Sequence, residues 1–361
     1  MAVNDLPKSW QRNVPLAPYT TLRVGGLAEY FVSVESLAQL RSACGSARER
    51  EIPVTVLGGG SNVLISDHGL PGLVIQIAIE GVQTTVNGDT VRVRAGAGVN
   101  FDAVVAQTVA HGWWGLENLS AIPGTVGATP VQNVGAYGVE VAQVIESVVV
   151  YHYSSDTSIA LSAEELEFSY RHSVFKTPHA HDWIITEVNF LLSTEPSPQL
   201  NYADLSLLRE LPTVTPQLVR EHVRAVRAKK FPDWQRVGTA GSFFKNPIIE
   251  QEHYKRLKTQ YPDLPGYQLP DGTVKVSLGW ILDHICDLRG YTVGAVGLYE
   301  RQALVLLQTG GATGTDIKNF ATKVSGMVAA ATDIDIELEV TLLPRKSNHN
   351  HNPEQRHKPR Y

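Results

Sequence analysis

Residues 115–141 read GLENLSAIPGTVGATPVQNVGAYGVEV, and this stretch decides which fold the chain is expected to adopt. It is dense in Gly, Pro, Ala, Asn and Thr, so it can contribute few large side chains to a hydrophobic core. Apolar residues that would anchor it are spaced along it: Leu119, Ile122, Val126, Val131, Val134 and Val139. Small residues let backbone N–H and C=O groups approach a ligand, which predicts a loop around a large flat molecule. A floppy linker is the alternative, and the apolar anchors disfavour it.

A second glycine-rich segment, VLGGGSNVLISD at residues 56–67, runs from a predicted strand into three glycines followed by Ser61 and Asn62. Consecutive glycines let amide N–H groups converge on one anion, which suits a pyrophosphate. The spacing matches neither GxGxxG nor GxxxxGK[ST], so it excludes a Rossmann or P-loop interpretation. A tight turn with glycines for steric reasons is the alternative. Together the two segments suit a flavin that carries a diphosphate.

Composition narrows the class of protein. The chain has 361 residues, 43% hydrophobic and 19% charged, and a net charge of -5, so a basic nucleic-acid surface is not expected. The N-terminus lacks the apolar core of a secretory signal and no run is long enough to span a membrane, which predicts a cytoplasmic protein without membrane insertion. We expect a monomer. Cys44 and Cys286 are far apart and form no CxxC motif, so neither a metal site nor a disulfide framework is expected.

The pattern of elements predicts an α+β chain. Strands are expected at 28–34, 53–59, 72–77, 90–96, 144–152, 303–308 and 333–343. Helices are expected at 36–44, 100–112, 215–232 and 314–332, with Asn100 and Thr215 as the caps of the second and third. The polar, proline-punctuated stretch 193–212 is expected to separate two domains. We predict a first region at 10–212 with subdomains at about 10–66 and 67–212, a second domain at 213–345, and a disordered tail at 346–361.

Four further motifs complete a resemblance: PYTTLRVGG at 18–26, YRHSVFK at 170–176, AGSFFKNP at 240–247 and ELEV at 337–340. With the two glycine segments, and in the same order from about residue 10 to 343, the chain resembles the UDP-N-acetylenolpyruvoylglucosamine reductases, the MurB family. The resemblance implies an FAD-binding region of the vanillyl-alcohol-oxidase/PCMH type followed by a smaller α/β substrate-binding domain.

The resemblance also implies an activity. NADPH reduces non-covalently bound FAD, and hydride then passes from flavin N5 to C3 of the enolpyruvyl ether of UDP-N-acetylglucosamine, giving UDP-N-acetylmuramate for peptidoglycan precursor synthesis. The carbanion left at C2 needs a proton, and by the resemblance Ser242 donates it. A serine hydroxyl can do so when it is held in a dry site, and Phe243 and Phe244 are expected to exclude water.

Two charged residues are expected beside Ser242. Arg171 matches the arginine of the family's Tyr-Arg pair, and a guanidinium fork suits the substrate carboxylate bidentately. Strand alternation puts Glu337 and Glu339 on one face, and the resemblance selects Glu339 as the acid, with Glu337 as the alternative.

The remaining contacts are implied by the resemblance. The cofactor is expected to contact Gly58, Gly59, Gly60, Ser61, Asn62, Ile122, Pro123, Gly124, Thr125, Gly127, Ala128, Asn133, Gly135, Ala136, Tyr137, Gly138 and Arg171. The sugar nucleotide is expected to contact Tyr202, Lys230, Asn246 and Gln302. Tyr202 assigns the chain to the subclass that has a tyrosine-bearing loop.

The chain departs from the family pattern in two places, and two other functions compete. Thr20 stands where asparagine is commoner, and the terminal motif reads ELEVT where a proline and an arginine are more usual.

One competing function is a sugar or sugar-lactone oxidase that uses oxygen, although no histidine in the predicted cofactor-binding stretches suggests a covalently bound flavin. The other is a non-catalytic flavin-binding protein, which has little reason to keep Ser242, Arg171 and Glu339 together.

Overall fold

The computed structural model describes residues 6–345. The tail expected at 346–361 lies outside them. The strands are β1 Gln11–Pro15, β2 Leu27–Val34, β3 Val54–Leu57, β4 Val63–Ile65, β5 Leu70–Ile77, β6 Val82–Asn87, β7 Thr90–Gly96, β8 Gly135–Ala136, β9 Val139–Glu140, β10 Ile145–His152, β11 Thr157–Ser162, β12 Trp183–Ser193, β13 Gly238–Ser242, β14 Ile248–Ile249, β15 Gly266–Gln268, β16 Val274–Val276, β17 Thr292–Val293, β18 Val296–Tyr299, β19 Gln302–Gln308 and β20 Thr341–Leu343.

The helices are α1 Leu37–Glu49, α2 Phe101–Ala110, α3 Pro216–Lys230, α4 Gln251–Gln260, α5 Leu278–Trp280, which continues as a π-helical turn at Ile281–Ile285, and α6 Gly314–Thr332. Short 3₁₀ turns lie at Ala17–Tyr19, Glu117–Leu119, Val126–Ala128, Val141–Gln143, Val174–Lys176, Pro178–Ala180 and Ala203–Glu210.

The first region contains two sheets. One has the order β1-β2-β5-β3, in which β2, β5 and β3 are parallel and β1 is antiparallel. The other is antiparallel, with the order β11-β10-β12-β7-β6. Buried side chains of both sheets, α1 and α2 form one continuous core. The glycine segment 58–62 follows β3, and the loop 115–141 follows α2, so both start from buried elements.

The second region has its own core. A sheet of order β13-β19-β18-β17 packs with α6, and the small sheet β14-β16-β15 packs beside it. Phe243 and Phe244 are fully buried here, and their rings meet edge to face with centroids 5.5 Å apart. These rings fix the backbone that directly follows Ser242.

The last described strand pairs with the strand that directly follows the glycine segment. β20 pairs in parallel with β4, with Thr341 opposite Val63 and Leu343 opposite Ile65. Asn62 completes the junction, since its Nδ2 donates to the carbonyl of Glu339 at 3.1 Å. The last described strand therefore places Glu339 beside residues 58–62.

The stretch 193–212 is not a free spacer. It forms the 3₁₀ turns at Ala203–Glu210, whose Leu205 and Leu208 are buried with Val219 and Val223 of α3. Trp114 and Tyr137 of the first region belong to the same cluster. Because α3 packs on the loop 115–141, helix and loop share one core, and the predicted boundary at 212 stays a prediction.

Most predicted elements are confirmed. Asn100 caps α2 by accepting from Ala103 N at 3.0 Å, and Thr215 caps α3 by accepting from Leu218 N at 3.2 Å. The strand expected at 333–343 was too long, because only Thr341–Leu343 is a regular strand. The α+β fold class, with an FAD-binding region and a following smaller domain, is confirmed.

Candidate active site

One cleft of about 1740 Å³ runs between the glycine segment, the loop 115–141 and the second region. Most of the predicted site residues line it: Gly58, Gly59, Gly60, Ser61, Asn62, Ile122, Pro123, Thr125, Gly127, Ala128, Gly135, Ala136, Tyr137, Arg171, Tyr202, Lys230, Ser242, Asn246, Gln302 and Glu339. Residues from five of the six quoted motifs thus face the same space, together with Tyr202, Lys230 and Gln302.

Residues 58–62 form a row of backbone donors. Within residues 6–345, none of their five amide N–H groups donates a hydrogen bond to another part of the chain. A Cβ at Gly59 would lie 2.9 Å from the Cα of Gly124, so only glycine lets the two loops approach this closely. In the same described part of the chain, the buried hydroxyl of Thr125 has no hydrogen-bond partner. This combination is an anion cradle.

The loop 115–141 is held in an unusual backbone conformation. Ala121 has a φ of 59° and Tyr137 a φ of 50°, a region that costs energy for residues with a Cβ. Asp102 stabilises the first of these turns, because its Oδ1 accepts from Ala121 N at 2.6 Å. The same carboxylate is bound by both Nη atoms of Arg220, at 2.6 and 3.1 Å. α2 and α3 thus hold the loop from behind.

These features fit the expected FAD. The free amides and the unpartnered Thr125 hydroxyl suit a diphosphate, and the small residues of the second loop leave the backbone accessible to a flat ring. Three of the predicted contacts do not line the cleft: Gly124, Asn133 and Gly138. Asn133 is buried, and its side chain binds Glu140, Ser169 and Ala142, so it holds the loop together.

Ser242 lies at the end of β13, where the strand is interrupted by a bulge. Gly241 directly before it has a φ of 71°, a conformation that favours glycine. The serine is partly buried and lines the cleft. Phe244 also lines the cleft from its buried position, whereas Phe243 points into the second core and does not line it.

Glu339 is positioned by the strand that contains Ser242. Its backbone N–H donates to the carbonyl of Phe243 at 2.9 Å, which brings the two motifs side by side. Its carboxylate lies 2.8 Å from Nε of Arg171, with only 10% of the side chain exposed. Burial raises the pKa of Glu339, and the Arg171 charge only partly offsets this rise. The carboxyl group can therefore hold a proton more readily than an exposed glutamate.

Glu337 lies on the solvent side of the same segment. Its side chain is 75% exposed and pairs with Nζ of Lys245 at 2.7 Å. That pairing lowers the pKa of Glu337, which keeps the group ionised. Among the two candidates, only Glu339 lines the cleft.

The guanidinium of Arg171 makes more contacts within the protein than the sequence suggests. Its Nη1 and Nη2 donate to the carbonyls of Asn133 at 3.5 Å and Gly135 at 3.0 Å. The Nε–H does not point at Glu339, so their contact is an ion pair without a well-formed hydrogen bond. The guanidinium thus connects the loop 115–141 to Glu339, and it does not offer two free N–H groups for bidentate binding of a carboxylate.

The residues predicted to bind the substrate also line the cleft. Lys230 forms an ion pair with Asp204 at 2.6 Å, and Tyr202 packs edge-on against Tyr137 with ring centroids 5.4 Å apart. Asn246 Oδ1 accepts from the backbone N–H of Leu278 at 3.0 Å, which leaves its amide group for the cleft.

Sequence patterns missed several residues that line or support this cleft. Lys176 lines it, and burial together with neighbouring cations lowers its pKa to about 8. Trp234 lines it as well. Asp102 and Arg220 support the loop from behind. Lys176 stands within a quoted motif and could have been singled out, whereas the Asp102–Arg220 pair is separated by 118 residues and has no local signal.

Other features of the described part bear on function. Between residues 6 and 345, no helix is long and apolar enough to cross a bilayer. In this same range, no group of three or more His, Cys, Asp or Glu side chains could hold a metal ion. Cys44 and Cys286 are both free and belong to different cores.

Two family models match this chain, one in the first region and one in the second. Residues 28–153 match the model of an FAD binding domain, and residues 233–343 match that of the UDP-N-acetylenolpyruvoylglucosamine reductase C-terminal domain. The UDP-N-acetylenolpyruvoylglucosamine reductase of Ralstonia nicotianae is 39% identical over 336 residues, covering 91% of this chain and 98% of the relative. That of Chromobacterium violaceum is 40% identical over 339 residues, covering 92% and 99%.

A solved structure agrees over nearly the full length. The UDP-N-acetylenolpyruvylglucosamine reductase (MurB) of Thermus caldophilus superposes with a TM-score of 0.66 at 27% identity, covering 93% of this chain and 98% of that one. Two domain models, full-length relatives and a full-length structural match all agree. The chain therefore belongs to the UDP-N-acetylenolpyruvoylglucosamine reductase family of FAD-dependent oxidoreductases.

Proposed function

We propose that this protein reduces UDP-N-acetylenolpyruvoylglucosamine to UDP-N-acetylmuramate for peptidoglycan precursor synthesis, with NADPH as the reductant. The single observation that carries the proposal is the convergence of Ser242, Arg171 and Glu339 on one cleft beside the amide row 58–62. Curated relatives named for this reductase activity support it along almost the whole chain.

FAD, when bound by residues 58–62 and the loop 115–141, supplies the hydride that C3 of the enolpyruvyl group receives. The protein contributes binding, orientation and proton handling. The amide row suits the negative charge of a diphosphate, and Asp102 holds the Ala121 turn in place. Phe244 lines the cleft and is fully buried in the second core, so it limits access of water on its side of the cleft.

Ser242 is proposed to donate the proton to C2. Ser242 lines the cleft directly after Gly241, at the bulge of β13. A serine hydroxyl is a weak acid, but an enolate or carbanion is a strong base, and general acid catalysis of this kind is worth roughly 10² to 10⁴ in rate.

Arg171 and Glu339 are proposed to stabilise the charge that forms next to C2. The guanidinium is already oriented by the Asn133 and Gly135 carbonyls, so its positive charge needs no rearrangement during the reaction. Glu339, with its raised pKa, is suited to hold a proton close to Ser242 and to assist its transfer.

Lys230 and Tyr202 are proposed to bind the substrate diphosphate, with Asn246 and Gln302 as further donors. All four line the cleft. Lys230 pairs with Asp204 in the structure, so binding requires that its ammonium exchange a carboxylate for phosphate. We further propose a cytoplasmic monomer, the state that the sequence predicts.

An anaerobic two-step titration tests the function. NADPH should bleach the flavin absorbance of the purified protein, and the enolpyruvyl sugar nucleotide should restore it. Ser242→Ala should leave the first step near normal and slow the second roughly 10² to 10⁴-fold. Ser242→Cys, which keeps a transferable proton, should retain part of the second step. Equal loss in both steps would make Ser242 structural, and oxygen-driven turnover of a free sugar without NADPH would favour an oxidase.

A further inference from the structure

The turn between α3 and β13 is fixed by one arginine from the start of the chain. Arg23, in the PYTTLRVGG motif, donates through its guanidinium to the carbonyls of Trp234 at 3.3 Å, Gln235, and Arg236 at 3.3 Å. Three consecutive carbonyls bound by one planar group leave this turn little freedom. The amide N–H of Gln235 also donates to Asp233 Oδ1 at 2.9 Å, which closes the turn on itself.

The side chain that this turn presents is an exposed indole. Trp234 is 41% exposed and lines the cleft, whereas Trp10, Trp113 and Trp114 are buried. An indole that lines a cleft with part of its surface open offers an aromatic face and an N–H group to a ligand. The fixed backbone beneath the ring indicates that its position matters.

Trp234 belongs to the same lining segment of the cleft as Lys230. Every residue of the segment 230–234 lines the cleft, and the ring of Phe231 within it lies 3.8 Å from where a Cβ of Gly241, the residue before Ser242, would be. A ligand with its reacting group at Ser242 and its phosphates at Lys230 would therefore lie along this segment.

We propose that Trp234 is the platform on which the nucleobase of the sugar nucleotide stacks, and that Arg23 is the residue that positions it. This inference rests on the proposed function, since it needs the reacting group at Ser242 and the diphosphate at Lys230. With the reacting group and the diphosphate placed in this way, the base extends from the phosphates along the segment 230–234, where the indole of Trp234 lines the cleft. Stacking on an aromatic face accepts any base, so Trp234 contributes affinity and leaves the choice of base to polar contacts.

Calorimetry on the FAD-loaded protein tests the platform with two probes, UDP and inorganic pyrophosphate. Trp234→Ala should weaken UDP binding roughly tenfold or more, because base–aromatic stacking is commonly worth that much, while pyrophosphate binding stays unchanged. Trp234→Phe, which keeps an aromatic face, should recover most of the UDP affinity. Leu191→Ala is the control, because Leu191 is a large apolar side chain with the same exposure, 41%, that does not line the cleft.

Arg23→Met should weaken UDP binding in the same direction, again with pyrophosphate binding unchanged. Unchanged UDP binding in Trp234→Ala overturns the proposal, and so does an equal loss for both probes, which would make the turn merely structural. The proposed reaction is tested separately, because UDP binding involves no turnover: a protein that binds UDP through Trp234 but cannot reduce the enolpyruvyl compound refutes the reaction and keeps the platform.

Discussion

Substitution of Asp102 tests how the loop 115–141 is held in place. Its carboxylate accepts from Ala121 N at 2.6 Å and from both Nη atoms of Arg220, a residue that is only 7% exposed. Burial alone would raise the pKa of Asp102, but the hydrogen bonds from Arg220 and Ala121 outweigh it and lower the pKa. The ionised carboxylate therefore stabilises the folded state.

Two substitutions separate its two contacts. Asp102→Ala leaves the buried Arg220 without its counter-ion and the Ala121 amide without its acceptor. Breaking a buried pair costs about 3–5 kcal/mol, and because the Asp102 side chain is 31% exposed we expect the lower end, about 3 kcal/mol. Asp102→Asn should cost a similar amount of unfolding free energy, yet its amide oxygen can still accept from Ala121 N.

The two variants should therefore differ in cofactor binding. Ala121 has a positive φ and loses its anchor only in Asp102→Ala, so FAD affinity of the apoprotein should fall roughly tenfold, the value of one charge-assisted hydrogen bond. Asp102→Asn should bind FAD nearly as well as the original protein. Urea unfolding measures the stability, and titration of apoprotein with FAD, followed by flavin fluorescence, measures the affinity.

The sign of the pH dependence provides a further check. Because the folded pKa is lowered, the stabilisation is present at neutral pH and is lost as the pH falls through the folded pKa, so the variants should converge with the original protein in acid. Adding Arg220→Met to Asp102→Ala should recover stability without recovering FAD affinity. Equal and normal FAD affinity in both single variants would refute the loop-anchoring argument.

Two other predictions concern charges in the cleft. Asp204→Asn should lower the KM for the sugar nucleotide by about 2- to 5-fold. The reason is that Lys230 no longer has to leave a partly exposed ion pair worth up to about 1 kcal/mol. Steady-state kinetics measure the KM, and a higher KM in this variant would contradict the prediction. Lys176 lines the cleft expected to hold the anionic FAD, and with its pKa lowered to about 8 it loses its positive charge as the pH rises through that value. The FAD affinity of the apoprotein should therefore weaken several-fold between pH 7 and pH 9. Lys176→Met should bind FAD more weakly and lose this pH dependence, and an unchanged pH profile in that variant would contradict the prediction.

Local signals in the sequence predicted the elements well. Helix caps such as Asn100 and Thr215 act over three residues, so they can be identified from the sequence and are confirmed by the structure. The glycine segment 58–62 was likewise predicted as a row of donors, because backbone freedom is a property of the residues themselves.

Long-range contacts could not be predicted in this way. The choice between Glu337 and Glu339 depends on which side chain faces the cleft, and strand alternation gives both the same face. The segment 333–340 is mostly irregular, and the Glu339 N–H bond to Phe243 determines which carboxylate is buried. The packing of α3 against the loop 115–141 was missed for the same reason, since a helix pattern shows an apolar face but not its partner.

The pairing of β20 with β4 bears on how the protein is made. Asn62 and Glu339 are 277 residues apart, yet they are hydrogen-bonded neighbours in the finished fold. β4 is synthesised long before β20, its partner in a two-stranded sheet, so it remains an unpaired edge until the second region has been made. Joining the amide row 58–62 to Glu339 is therefore a contact of high sequence separation, of the kind that forms late in folding.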